Sequence, residues 1–245
     1  MRDKITEYLK RTLLCCFGLV LCGIGSYFIS KASAIGIGAW ETLQVGMNMR
    51  TGISYGTACQ VVGYGIIVLD IILKGKIGFG SLLNAWLVGA TCNFIEAFID
   101  YLPATDSVIF GIVYIIVGYV IQITGGVYYI RAAMGCGPRD TLNMLLGYRF
   151  PRVKISIVRL FMDMSALIAG ILLGAPFGIG TVAAMGLRTV IMQIIYDVFK
   201  FEPRKIVHED VFDTIKIFRG KITRNDLGGG AQAYYTNAVG KDGEK

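Results

Sequence analysis

The chain repeats itself after about a hundred residues, and this duplication constrains its fold more than any single motif does. Residues 36–44 read Gly-Ile-Gly-Ala-Trp-Glu-Thr-Leu-Gln, and residues 135–143 read Gly-Cys-Gly-Pro-Arg-Asp-Thr-Leu-Asn. Further matches pair Gly18 with Gly118, Gly25 with Gly125, Gly75 with Gly174, and residues 78–81 with 178–181. The offset between matching residues drifts between 99 and 100. The protein therefore consists of two related halves.

The composition predicts that both halves lie in a membrane. The mean hydropathy is +0.60, and 54% of residues are hydrophobic against 17% charged. Apolar runs of roughly 20 residues are long enough to cross a bilayer as helices. Six such spans are predicted, at residues 12–30, 51–69, 77–95, 107–130, 154–173 and 178–199. The first is predicted to be a retained span rather than a signal peptide, because residues 17–33 align with residues 117–133 inside the repeat.

A shorter helix is expected after the first span of each half, at about residues 38–49 and 137–148. About 12 helical residues reach roughly 18 Å, which is too short for a hydrocarbon core of roughly 30 Å. Each half then has three crossings, and an odd number requires the halves to be inverted relative to each other. If the short helices did cross, the repeats would run parallel, and the charges of the loops alone do not exclude that arrangement.

The predicted fold is thus an all-α polytopic membrane protein with six transmembrane helices. They form two inverted-topology repeats of three, each with a short re-entrant or interfacial helix after its first span. The predicted segments are an N-terminus at 1–11, a first repeat at 12–101, a second repeat at 107–199 and a C-terminal tail at 200–245.

The net charge of +7 is explained by membrane orientation without nucleic acid. If the N-terminus is cytoplasmic, lysine and arginine concentrate in the cytoplasmic segments, and only Lys31 and Arg50 fall in the outer ones. This distribution follows the positive-inside rule. Both termini are therefore expected in the cytoplasm.

The duplicated motif supplies the first set of candidate site residues. Each copy places Gly-x-Gly directly before a helix, with Glu41 or Asp140 in the first turn, where a negative charge suits the helix dipole. The short helices either dip into the bilayer and present backbone amides to a solute or ion, or lie in the interface with Trp40 and Tyr148 as anchors. Both interpretations remain open. The candidate residues are Gly36, Gly38, Glu41, Gln44, Gly135, Gly137, Arg139, Asp140 and Asn143.

Charged residues within the predicted spans supply the second set. Arg188 lies near the middle of the last span, where a charge needs a partner or water. Asp163 lies at a similar depth in the preceding span, so the two are predicted to face each other. Arg159 stands one turn from Asp163 and could share its carboxylate. The alternatives are a purely structural ion pair and an Arg159 that reaches the headgroups.

These charges belong to the second half only, because Asp163 corresponds to Gly63 or Tyr64 and Arg188 to Val88. A residue needed merely to build the repeat should occur in both copies, so the asymmetry favours function. The acidic residues at span ends are instead expected to meet water or lysines. They are Asp70, Glu96, Asp100 and Asp197.

Metal or cofactor chemistry has little support in this sequence. The six cysteines lie mostly in apolar runs without paired spacing, and the one histidine, His208, is expected at the surface. No cofactor and no catalytic constellation are predicted. In the tail, residues 207–219 are spaced like a short amphipathic helix, and residues 228–245 have a composition typical of disorder.

The two motifs at 36–43 and 135–142 resemble those of the bacterial YczE/YyaS/YitT family of integral membrane proteins. The resemblance covers about residues 10–215, including His208-Glu-Asp-Val-Phe-Asp after the last span. It implies a multi-pass protein of the bacterial plasma membrane. It implies no substrate and no catalytic residue.

Three functions are compatible with the sequence. The first is a transporter or channel for a small solute, an anion if Arg188 binds it with Asp163 as counter-ion, in which the two halves rock about a central site. The second is a membrane accessory protein that binds a biosynthetic or secretion partner through residues 131–154 and the tail. The third, a membrane enzyme, lacks a nucleophile–base pair and a metal set. Besides the lipid bilayer, a second copy of the chain is a compatible partner.

Overall fold

The computed structural model describes residues 2–99, 102–105, 107–150, 152–203, 206–219 and 227. Within them the chain forms nine α-helices and no strand. They are α1 (Arg2–Ser30), α2 (Ala39–Thr51), α3 (Tyr55–Ile72), α4 (Phe79–Phe98), α5 (Val108–Arg131), α6 (Pro138–Arg149), α7 (Ile155–Leu172), α8 (Ile179–Val198) and α9 (Val211–Phe218). The predictions for Asp100 and for residues 228–245 fall outside the described residues, as does the side chain of Tyr148.

Four helical segments are long and apolar enough to cross a membrane: Ile5–Ser30, Tyr55–Ile72, Val108–Arg131 and Ile179–Val198. The all-helical membrane class is therefore confirmed. The predicted number of six crossings is not reached by this criterion, since α4 and α7 are not among the four. Residues 2–11, assigned from the sequence to a separate N-terminal segment, form the first turns of α1.

The repeat is visible in the order of the helices, because α1–α4 are matched by α5–α8. The short helices expected after the first span of each half are confirmed as α2 and α6. The backbone corrects one detail of the alignment. Lys74, not Gly75, adopts the left-handed φ of its counterpart Gly174, and α3 and α7 begin and end 100 residues apart. Asp163 therefore corresponds to Gly63 and not to Tyr64.

The two halves meet where α1 crosses α5 through paired glycines. A Cβ on Gly18 would lie 2.6 Å from the carbonyl oxygen of Gly125, and a Cβ on Gly25 would lie 2.5 Å from that of Gly118. As one helix advances the other returns, so the two run antiparallel. Since Gly18 matches Gly118 and Gly25 matches Gly125, each contact is repeated with the halves exchanged. Such close helix crossings depend on small residues.

Each short helix packs against a long helix of the other half. α2 packs against α7, with Gly46 against the backbone of Gly170, while α6 packs against α3. Leu142 of α6 packs with Val62 and Ile66 of α3. The folding of one half is thus completed by a helix from the other.

The halves differ in how closely their last two helices pack. α3 packs directly on α4, where a Cβ on Gly56 would clash with the backbone of Gly89. α7 and α8, both described along their whole length, do not pack closely on each other. A Cβ on Gly186 of α8 would meet nothing within 4 Å. The second half is therefore the more open one.

Candidate functional site

A cavity of about 720 Å³ lies between the two halves. Its volume is within the range of small-molecule sites. The same five motif positions line it in each half. From the first half these are Gly38, Ala39, Trp40, Glu41 and Gln44, and from the second half Gly137, Pro138, Arg139, Asp140 and Asn143. Both short helices therefore begin at one cavity.

Trp40 lies at the centre of this arrangement. Its indole Nε1 donates a hydrogen bond to Asp163 Oδ1 at 2.7 Å. The guanidinium carbon of Arg139 lies 4.6 Å from the centroid of the Trp40 ring, a cation–π contact between matching positions of the two motifs. Both polar partners of the Trp40 ring are thus residues that line the cavity.

Arg188 points into the cavity from α8, but its ion pair differs from the predicted one. Its Nη1 lies 3.3 Å from Glu41 Oε1, and its guanidinium carbon lies 5.8 Å from the centroid of the Tyr119 ring. Asp163, the predicted partner, accepts the Trp40 hydrogen bond instead. Counting depth along α7 and α8 could not reveal Glu41, because Glu41 comes from α2 of the other half.

The environment of this ion pair is largely desolvated. Glu41 is 2% exposed, whereas 32% of the Arg188 side chain remains exposed toward the cavity. Glu41 Oε2 and the Tyr119 hydroxyl are both buried without a hydrogen-bond partner among the described residues. An unmade hydrogen bond on a buried polar atom costs about 1–3 kcal/mol. The pair is thus incompletely satisfied.

The remaining candidates divide into cavity residues and packing residues. Arg159 and Asp163 from α7 join Gln44 and Asn143 in lining the cavity. Gly36 and Gly135 do not line it. Both have a positive φ, and they pack against the starts of α8 and α4 respectively, where no side chain would fit. Their place in the motif is explained by backbone packing between the halves.

Several cavity residues were not singled out from the sequence. They are Ser26, Met185, Met192 and Tyr196, which line the cavity together with Gln122. Gln122 Nε2 donates to Ser26 Oγ at 2.9 Å and ties α5 to α1. A polar amide within an apolar span marks Gln122 in the sequence, whereas serine, methionine and tyrosine are ordinary in such spans. Among the described residues no set of three or more His, Cys, Asp or Glu side chains could hold a metal ion.

A second polar cluster lies at the start of α1, where the tail docks. Arg11 Nη1 lies 2.5 Å from Glu209 Oε1, and Arg11 also donates to the carbonyl oxygens of Ala132 and Ala133. The backbone N–H of Val211 donates to the carbonyl of Ile77. His208 is 7% exposed, so its prediction as a surface residue is wrong. This cluster covers the loop that carries the second motif.

Burial affects two further carboxylates, Asp70 and Asp210. Asp70, expected to meet water or lysines, is fully buried, and neither carboxylate oxygen has a partner among the described residues. In the tail, Asp210 caps α9 by accepting from the backbone N–H of Asp213. Burial is the main cause that raises the pKa of Asp210, and Lys76 at 3.9 Å acts in the opposite direction.

Comparison with known proteins places the chain in a family. It is 28% identical over 182 residues to the uncharacterized membrane protein YczE of Bacillus subtilis, covering 72% of this chain and 80% of that protein. It is 27% identical over 177 residues to an uncharacterized protein of Haemophilus influenzae, covering 72% and 79%. No solved structure matches. The family of unknown function DUF6198 matches residues 9–197, and the chain is a membrane protein of this family, as its resemblance to YczE predicted.

Proposed function

We propose that this protein moves a small polar solute across the bacterial plasma membrane, as a transporter or channel, and binds it in the cavity between the two halves. One observation carries this proposal. The same five positions of a duplicated motif converge from both halves on a single cavity that also holds Arg159, Asp163 and Arg188. Two short helices begin there, and the N-terminus of a helix attracts polar and anionic groups.

The proposal includes six crossings in an inverted arrangement, with both termini in the cytoplasm. The antiparallel crossing of the matching helices α1 and α5 supports it, because a pseudo-twofold axis in the membrane plane would produce that contact. In this arrangement α4 and α7 are the two further crossings. The basic segments on the N-terminal side support the assignment of the cytoplasmic face.

The openness of the second half suggests how a solute would enter. α7 and α8 both line the cavity and do not pack closely on each other, whereas α3 and α4 do. In the proposed cycle the halves rock about the α1–α5 crossing and expose the cavity to alternate sides. Substrates bound at the interface of such repeats lie near the bilayer midplane in known transporter folds.

The test is a ligand screen by thermal shift on the purified full chain, followed by uptake into proteoliposomes. A solute that binds the native state should raise the melting temperature. At a hundredfold excess over Kd, binding adds about 2.7 kcal/mol to the free energy of unfolding. We expect Arg188→Ala to abolish the shift and the uptake. Arg50→Ala is the matched control, because Arg50 lies at the far end of α2 and does not line the cavity.

The absence of binding and uptake would be equally informative. If no solute from a broad library stabilises the wild-type protein, and its proteoliposomes take up none, the transport proposal is wrong. The accessory interpretation would then be tested by deleting the tail after residue 205. The described part of that tail contacts Arg11 and the carbonyl oxygen of Ala133 of its own chain.

A further inference from the structure

Six ionisable side chains that carry formal charge line the proposed solute site, and their charges cancel. Arg139, Arg159 and Arg188 are balanced by the carboxylates Glu41, Asp140 and Asp163. Arginine does not lose its proton in proteins, so only the carboxylates can change this balance. An anion bound here would leave one uncompensated negative charge in a poorly solvated place, which is costly. Binding of an anion therefore favours the uptake of a proton by one carboxylate.

Glu41 is the carboxylate best placed to take that proton. Asp163 accepts a hydrogen bond from the Trp40 indole, which favours its ionised form, and Asp140 is exposed. Glu41 is almost completely buried, and among the described residues its ion-pair partner is Arg188. If Arg188 turns to another anion, the ionised form of Glu41 loses that partner.

A hydrogen-bond acceptor for the protonated form is close by. Both Glu41 Oε2 and the Tyr119 hydroxyl lie against Gly38, since a Cβ on Gly38 would clash with the first and lie 3.0 Å from the second. Each atom is buried and lacks a partner among the described residues. A tyrosine hydroxyl can accept as well as donate, so a protonated Glu41 could donate to Tyr119 after a small side-chain rotation. A Glu41 released from Arg188 can therefore pair with Tyr119. Because the Tyr119 hydroxyl could equally donate to an ionised Glu41, the charge balance of the cavity, and not this pairing, favours the protonated form.

Other groups that titrate or carry charge face this pair from the surrounding helices. They are Cys22 on α1, Tyr55 on α3, Arg139 and Asp140 on α6, Arg159 and Asp163 on α7, and Tyr196 on α8. Among these, Asp140 and Asp163 add negative charge and Arg139 and Arg159 offset it, so the neighbours leave the charge balance of the cavity at zero.

From this geometry, and resting on the function proposed above, we infer that Glu41 couples the binding of an anionic solute to the binding of a proton. The anionic group takes the place of the Glu41 carboxylate on Arg188. The displaced carboxylate binds a proton from the aqueous cavity and becomes a carboxylic acid that donates to Tyr119. Release of the anion reverses both steps. A solute with one negative charge is thus accompanied by one proton.

The test uses methanesulfonate as the probe, because this monoanion stays ionised at all accessible pH values. Dimethyl sulfone, of similar shape and uncharged, is the control compound. Proton uptake is measured with an indicator dye in weakly buffered detergent solution of the full chain, alongside Kd by calorimetry. We expect about one proton per methanesulfonate bound, and a Kd that rises about tenfold per pH unit where Glu41 is ionised in the free protein.

Two variants separate Glu41 from the other carboxylates. Glu41→Gln should still bind methanesulfonate, without proton uptake and with a Kd independent of pH. Asp163→Asn should keep the proton uptake. Tyr119→Phe, which removes the acceptor, should weaken methanesulfonate binding several-fold while Arg188 is intact.

Three outcomes would overturn the inference. They are binding of methanesulfonate without proton uptake in the wild type, equal uptake in Glu41→Gln, and no binding up to about 0.1 M, where a site with a Kd of about 1 mM would be saturated. The transport proposal is tested separately. If the screen finds a neutral or cationic solute that is transported, while methanesulfonate does not bind, transport stands and proton–anion coupling fails.

Discussion

The two halves of this protein share a backbone plan but differ in the charges and the packing of their last two helices. Where the first half has Gly63 and Val88, the second has Asp163 and Arg188. α3 and α4 close on each other in the first half, whereas α7 and α8 leave room beside Gly186 in the second. The paired glycines that both halves keep build the helix crossing. The duplicated motif lines the candidate site from both halves, and only the second half adds the charges of Asp163 and Arg188.

This contrast also separates the two roles of the duplicated motif. Gly36 and Gly135 make equivalent backbone contacts, so they belong to the shared fold. Glu41 and Asp140 are equivalent in sequence but not in surroundings, because Glu41 alone has an ion pair with Arg188. A duplicated residue can therefore acquire different chemistry when its partner changes in the other half.

The largest effects should come from the shared contacts, and they should be equal in both halves. Gly25→Val and Gly125→Val each force a side chain into the backbone of the opposite helix. We expect neither variant to give folded, monodisperse protein by size-exclusion chromatography, since overpacking of about 1–3 kcal/mol or more adds to the loss of the helix crossing. Gly65→Val, where a Cβ meets nothing within 4 Å, should fold normally. Tolerance of one of the two crossing variants would break the symmetry argument.

The next largest effect should distinguish the halves. Arg188→Val installs the residue of the first half and leaves Glu41 buried without its partner. We expect a loss of about 3–5 kcal/mol in thermal unfolding, and partial recovery in the double variant Glu41→Gln/Arg188→Val. Val88→Ala, at the matching position, should cost only about 1 kcal/mol. Equal losses from Arg188→Val and Val88→Ala would contradict a special environment for Arg188.

Filling the free space beside Gly186, between α7 and α8, should have a smaller effect on stability but a clear effect on binding. Gly186→Trp gives α8 the residue found at Trp86 of α4, and its Cβ has free space. We expect unfolding stability to change by less than about 1 kcal/mol, while affinity for methanesulfonate or for any solute found in the screen falls at least about tenfold. Gly65→Trp, away from the cavity, controls for a bulky side chain. Unchanged affinity in Gly186→Trp would place the solute elsewhere.

The smallest effect concerns the tail, which covers the second motif. Burial raises the pKa of Asp210, so the docked tail holds this proton more tightly than an undocked one, whose carboxyl has the ordinary value of 3.8. Docking is therefore favoured at low pH and weakens as pH rises from about 4 through the raised pKa. Hydrogen exchange of residues 206–219, corrected for intrinsic rates, should show protection falling over that window in the wild type. Asp210→Asn, which can still cap α9, should show no such slope.

Much of the fold followed from one-dimensional patterns. Apolar runs, glycine spacing and the repeat itself predicted the helices α1 to α8 in order, including the two short ones. The register was less secure. Gly75 was aligned with Gly174 because both are glycine, whereas the backbone requires the left-handed residue at Lys74. Aligning glycine with glycine gave the wrong register there, because a lysine can adopt the left-handed conformation at a modest cost.

The sequence identified most of the candidate residues that line the cavity, but it did not identify the contacts between them. Ten of the twelve candidate residues line the cavity, and Gly36 and Gly135 do not. The partner of Arg188 was assigned to Asp163 by equal depth on neighbouring spans, and the contact is made by Glu41 instead. Depth along a helix says nothing about a third helix that enters from the other half.

The sequence by itself determined that this is a duplicated, helical membrane protein with charge concentrated in one copy, because hydropathy and repetition are properties of the chain alone. Only the tertiary structure decided which charges meet. The exchange of α2 and α6 between the halves brings residues about a hundred or more positions apart into contact, as in Trp40 with Arg139 and Glu41 with Arg188. Such pairings depend on the packing of whole helices, which no local pattern encodes.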